Sequence, residues 1–80
     1  MVDIIVYGTV WCSDCLIVKR FFDRNSISYQ FVNIDQDKKA EEFVLKTNRG
    51  MRSVPTIIFP DGSILVEPSK NTLAKKMGIV

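Results

Sequence analysis

Residues 3 to 7 read Asp-Ile-Ile-Val-Tyr, and this short stretch constrains the fold more than any other. Ile, Val and Tyr favour extended chain, and here they place apolar side chains on both faces of the pleat. A strand of that kind has to be covered from both sides, so it reads as the buried centre of a sheet. Gly8 and Thr9 break it. From Cys15 the apolar spacing turns helical: Cys15, Val18 and Phe22 form one stripe, Ile17 and Phe21 widen it, and Lys19, Arg20, Asp23 and Arg24 fall on the other side. Asn25-Ser26 ends that helix.

The remaining elements follow in alternation. Residues 28 to 34, SYQFVNI, are aromatic and β-branched and predict a second strand. Asp35 or Asp37 can cap a second helix, in which Ala40, Phe43, Val44 and Thr47 share one face and which Gly50 stops. Residues 54 to 59, VPTIIF, make a third strand with a proline at its start, Pro60-Asp61-Gly62 a turn, and residues 63 to 66 a short fourth strand. Ser69 can cap a last helix running to Met77, with Gly78 just past its end. The order is β-α-β-α-β-β-α. Its first βαβ unit must be a parallel, right-handed crossover, and its closing hairpin must be antiparallel. Both are satisfied by an α/β fold in which a four-stranded mixed sheet is flanked by three helices. Phe21, Phe22, Phe43 and Phe59 belong to the expected core.

Eighty residues make a single domain, 1–80, and a chain of this length buries only about 60% of its unfolded surface. With 46% hydrophobic and 25% charged residues it nevertheless has the means to form a core of its own. A net charge of +2, with bases scattered among acids, gives no reason to expect nucleic acid. The longest apolar runs are about five residues, against the ~20 needed to span a membrane, and MVDIIVYG lacks the basic and apolar regions of a signal peptide. A cytoplasmic monomer without a membrane partner is the expectation.

Both cysteines lie in VWCSDC, residues 10 to 15. Two cysteines are too few for a secreted disulfide scaffold, and a zinc site would need four ligands. The chain has no histidine, which removes Cys-His pairs, Ser-His-Asp triads and His-based metal sites. Cys12 falls at the join of the first strand and first helix, where unpaired N–H groups and the helix dipole favour a thiolate. Cys15 lies three residues on, within disulfide range and more buried. Thiol exchange needs such a pair: one sulfur attacks, and a second stands close enough to break the mixed disulfide. A structural disulfide would close too small a loop to stabilise much. Two plain core cysteines remain an alternative, but Cys12 precedes the apolar stripe. A Cys-x-x-Cys at a strand-to-helix turn of a βαβ unit reads as a redox site.

The chain resembles the glutaredoxins of the thioredoxin-fold superfamily over essentially its whole length. The resemblance rests on VYGTVWCSDC, on SVPT at 53 to 56, and on FPDGS followed by EPS. Trp11 before the first cysteine, NRGMRSVPT and the DGS…EPS tail are most similar to the mycoredoxin-like bacterial group. The resemblance implies a thioredoxin-like fold and catalytic roles for Cys12 as nucleophile and Cys15 as resolving thiol. It implies a cis bond at Val54-Pro55 and a substrate that pairs with the Val54 backbone as an added strand. No bound cofactor and no metal are implied, only a low-molecular-weight thiol as co-substrate. The partners are protein disulfides or protein–small-thiol mixed disulfides, and a recycling thiol or flavoprotein reductase.

Trp11 is a candidate substrate platform at the rim. Arg52 is a candidate for holding a carboxylate of the small thiol or steadying the thiolate. Departures from the glutathione-binding pattern leave the small thiol open. Ser13-Asp14 replaces Pro-Tyr, no lysine precedes Cys12 closely, and VEPSK at 66 to 70 replaces a Gly-Gly…Asp loop. Two other functions stay in view: a thioredoxin-like reductant of protein disulfides, such as those of ribonucleotide reductase, and a non-enzymatic iron–sulfur carrier.

Overall fold

The computed structural model describes residues 3–79; the first two residues and the last residue of the expected span 1–80 lie outside them. Seven elements follow in the expected order: β1 (Ile4–Gly8), α1 (Ser13–Arg24), β2 (Tyr29–Asn33), α2 (Lys38–Thr47), β3 (Thr56–Ile58), β4 (Ile64–Val66) and α3 (Lys70–Met77). The strands lie in the order β2-β1-β3-β4. β1 runs parallel to β2, with Val6 opposite Phe31. It runs antiparallel to β3, with Val6 opposite Ile57, and β3 and β4 form the antiparallel hairpin.

The period-2 alternation of β1 sends Ile4 and Val6 to one face and Ile5 and Tyr7 to the other. On the first face Ile4, Val6, Val18, Phe22, Ile57, Phe59 and Leu73 close a continuous core under α1 and α3. On the second face Ile34, Ala40 and Val44 form a smaller core under α2, with Tyr7, Val32, Phe43 and Val54 packed against it. The expected burial of β1 on both faces is therefore uneven. Two helices cover one side, one ten-residue helix covers the other, and Ile5 and Tyr7 stay half-buried. Phe22 and Phe59 are core as expected, whereas Phe21 and Phe43 are only half-buried. Ile17, expected to widen the buried stripe of α1, is 40% exposed, because the packed stripe is the narrower one of Cys15, Val18 and Phe22.

Caps explain the element ends. Asp37, not Asp35, caps α2, accepting from Ala40 N–H at 3.1 Å. Ser69 caps α3 through Thr72 N–H at 3.1 Å, and Gly78 closes it in the left-handed region at φ 69°. The third strand was expected from residue 54 but begins at Thr56, since Pro55 has no N–H to give the ladder. The Lys76 ammonium donates to Asp61 at 2.8 Å and ties α3 to the hairpin turn, holding the Asp61 carboxyl well below the usual carboxylate range.

Candidate active site

α1 begins two residues earlier than its apolar stripe announces, at Ser13, because its first turn is polar and carries no periodic signal. This makes Cys12 the N-cap residue, extended at φ −84° and ψ 119°. Its Sγ accepts the Cys15 N–H at 3.3 Å, one of the donors that a helix start leaves unpaired. The thiol itself points at the Val54 carbonyl oxygen, 3.9 Å away. The Val54–Pro55 bond is cis, as the resemblance implied. Cys12 is half-buried, and Cys15 is fully buried behind it, both as free thiols.

Burial pushes the Cys15 thiol up from 9.0 to about 12. A hydrogen bond with the Thr9 backbone works against that rise, while the neighbouring Cys12 and the carboxylate of Asp14 add to it. The Asp14 carboxylate is the smallest of these contributions. Thr9 is itself buried, and its hydroxyl oxygen has no partner among the described residues.

Trp11 and Arg52 sit differently from Cys12, Cys15 and Val54. Trp11 is 68% exposed, but its indole N–H donates to Asp35 Oδ2 at 2.8 Å. Arg52 donates through Nη2 to the other oxygen of Asp35 and through Nε to Glu41 at 2.8 Å. The polar contacts of Arg52 are therefore with two carboxylates, not with either thiol. Together they tie the loop carrying Cys12, the end of β2, the start of α2 and the approach to Pro55. The paired guanidinium and the indole N–H hold the Asp35 carboxyl below its ordinary value.

From sequence Asp35 reads only as a possible helix cap, and Glu41 is given no role. The other residue missed is Gly8, which sequence marks only as a strand breaker. It is the last residue of β1, and a Cβ built on it would lie 2.6 Å from Cys15 Sγ and 3.1 Å from Cε1 of Phe31. Its hydrogen makes room for the buried thiol. Gly8→Ala is expected to destabilise the protein by about 1–3 kcal/mol, the usual cost of overpacking a close-packed interior. It should also displace Cys15. Denaturant unfolding reads the first effect and turnover on a protein disulfide the second; wild-type values for both would show that the site has slack.

A mixed sheet in the order β2-β1-β3-β4, a Cys-x-x-Cys at the β1–α1 junction and a cis-proline facing it define a thioredoxin-fold thiol oxidoreductase. The glutaredoxin family model matches residues 4–64, and the chain belongs to the glutaredoxin family. It is 42% identical over 72 residues to a Mycobacterium tuberculosis protein assigned as a glutaredoxin, a match covering 90% of this chain and 86% of that one. It is 34% identical over 68 residues to mycoredoxin 1 of Corynebacterium glutamicum, covering 85% of this chain and 84% of that one. A mutant of the thioredoxin-like protein BC3987 superposes with a TM-score of 0.84 at 28% identity over the whole of both chains. The expected fold and the mycoredoxin-like resemblance both hold, and the chain is a glutaredoxin-type thiol-disulfide oxidoreductase. Among the described residues no helix is long and apolar enough to cross a membrane.

Proposed function

We propose that this protein reduces mixed disulfides between proteins and a low-molecular-weight thiol of the mycothiol kind, with Cys12 as nucleophile and Cys15 as resolving thiol. The observation that carries the reading is the placement of Cys12 Sγ. It lies at the start of α1, open toward the Val54 backbone edge, with a neutral thiol buried behind it. A substrate chain pairing with that edge would bring its disulfide to Cys12. Cys12 thiolate attacks the small-thiol sulfur. The substrate S–S bond breaks, the protein thiol leaves and takes up a proton, and the small thiol remains on Cys12. Cys15 then displaces it, closing the Cys12–Cys15 disulfide, which a small thiol or a flavoprotein reductase returns to the dithiol.

The state of Cys15 suits this order. Two of the contributions that keep it protonated come from Cys12, a hydrogen bond and a charge. Both disappear once Cys12 is in a disulfide, so Cys15 is easier to ionise when it is needed. Trp11, exposed and tethered by Asp35, serves as a flat apolar lip for the docking chain. Support for a thiol other than glutathione comes from VEPSK in place of the Gly-Gly…Asp loop and from the likeness to mycoredoxin 1.

The test is a coupled reductase assay in which mixed disulfides of mycothiol, bacillithiol, glutathione and coenzyme A are compared, beside an insulin-type protein disulfide. Turnover is expected to be highest with the mycothiol substrate. Efficient reduction of insulin with none of the small mixed disulfides turned over would make the protein a thioredoxin-like reductant instead.

A further inference from the structure

The four α1 residues Ile17, Arg20, Phe21 and Arg24 stand at i, i+3, i+4 and i+7, beside the buried stripe rather than on it. With Asn25 and with Lys70, the first residue of α3, they line a groove of about 260 Å³. Its lining combines two apolar side chains, Ile17 and the half-buried Phe21, with three cations, Arg20, Arg24 and Lys70. None of the three is in an ion pair among the described residues, in contrast to Arg52 and Lys76. The acids of the flanking segments, Asp14, Asp23 and Glu67, do not line it.

The groove runs along α1 from near the thiols to the far end of the helix, where Arg24 and Asn25 lie. Ile17 is two residues beyond Cys15 on one helix. Lys70 follows β4, whose Val66 pairs with Thr56 next to Pro55, and the Glu67 N–H donates to the Pro55 carbonyl at 2.8 Å. A chain that meets Cys12 and the Val54 edge reaches this groove along α1, from about one and a half helical turns away at Ile17 to more than three at Arg24.

We propose that the groove between α1 and the start of α3 docks an acidic segment of a protein client, with its carboxylates against Arg20, Arg24 and Lys70 and an apolar side chain on Ile17 and Phe21. Three unpaired cations beside two apolar side chains are complementary to alternating acidic and apolar residues. Such complementarity selects partners and speeds encounter more than it adds affinity, which suits a reductant that must release each client. That the segment belongs to a redox client rests on the function proposed above; the docking itself does not.

The test is an NMR titration of the isotope-labelled, reduced protein with an eight-residue peptide alternating Glu with Leu and Phe. Shifts are expected at Ile17, Phe21, Arg24 and Lys70, weakening as salt is raised. The double variant Arg20→Glu/Arg24→Glu should bind about tenfold more weakly, as should Lys70→Glu, all three positions being exposed and outside the core. The proposal is overturned if the peptide shifts none of these residues, or if a peptide with Lys for each Glu shifts them equally. It is also overturned if inorganic phosphate or glutathione gives the same shifts at the same concentration, which would make the groove a small-anion pocket. A single-stranded oligonucleotide that binds more tightly than the peptide would overturn it too. The titration reads binding without turnover, so its failure is separate from any failure of the thiol chemistry.

Discussion

Cys12→Ser is expected to reduce turnover to the uncatalysed background on every disulfide, whereas Cys15→Ser should lose protein disulfides and keep small-thiol mixed disulfides. The difference lies in what each step requires. A mixed disulfide with a small thiol can be reduced through Cys12 alone, because the small thiol left on Cys12 is released by a second molecule of the same thiol. A protein's own disulfide leaves a large mixed disulfide on Cys12, and only a thiol held beside it breaks that bond at a useful rate. Cys15 is placed for this, one helical turn from Cys12, with its N–H on the Cys12 sulfur. The measurement is the coupled assay with both variants, the cognate small thiol supplied in excess. A Cys15→Ser protein without activity on the cognate mixed disulfide would mean that both cysteines are needed for every turnover.

The parts of this protein legible in its sequence are those written in local patterns. The strand β1, found one residue on at Ile4–Gly8, the turn Pro60-Asp61-Gly62 and the helix caps Asp37, one of two candidates, and Ser69 each depend on a few consecutive residues. The two cysteines were legible because spacing and the β-to-α junction together carry the chemistry. What spacing alone cannot supply is a contact between distant segments. Arg52 reads as a candidate substrate or thiolate partner from its place near Val54-Pro55, and its ion pairs cannot be read from there. Its partners Asp35 and Glu41 lie 17 and 11 residues away and meet it only through the fold. Gly8 read as a breaker because nothing in the sequence tells that the Cys15 sulfur comes back over it. The start of α1 was legible from Cys12, expected at the strand-to-helix join and found as the N-cap, even though Ser13 and Asp14 carry no apolar periodicity.

Labelling of the reduced protein with iodoacetamide should modify Cys12 and leave Cys15 essentially untouched at pH 7. Two barriers protect Cys15. It is fully buried, so reagent cannot approach without opening the fold. Its thiol is also pushed up to about 12 by that same burial, from an ordinary 9.0, which at neutral pH keeps its thiolate fraction about a thousandfold below that of an ordinary cysteine. The pH dependence carries a sign. The folded protein holds the Cys15 proton more tightly than the unfolded chain does. This thiol therefore contributes stability that is fully present below pH 9 and is lost as the pH rises toward about 12. Folded protein should accordingly show one fast label at pH 7 and a second only as the alkaline range is reached, while protein unfolded in guanidinium should take two labels at pH 7 and at similar rates. Mass spectrometry at timed intervals, with peptide mapping to tell Cys12 from Cys15, reads both. Equal labelling of the two in folded protein at pH 7 would remove the distinction between an attacking and a resolving thiol. Preferential labelling of Cys15 would reverse it.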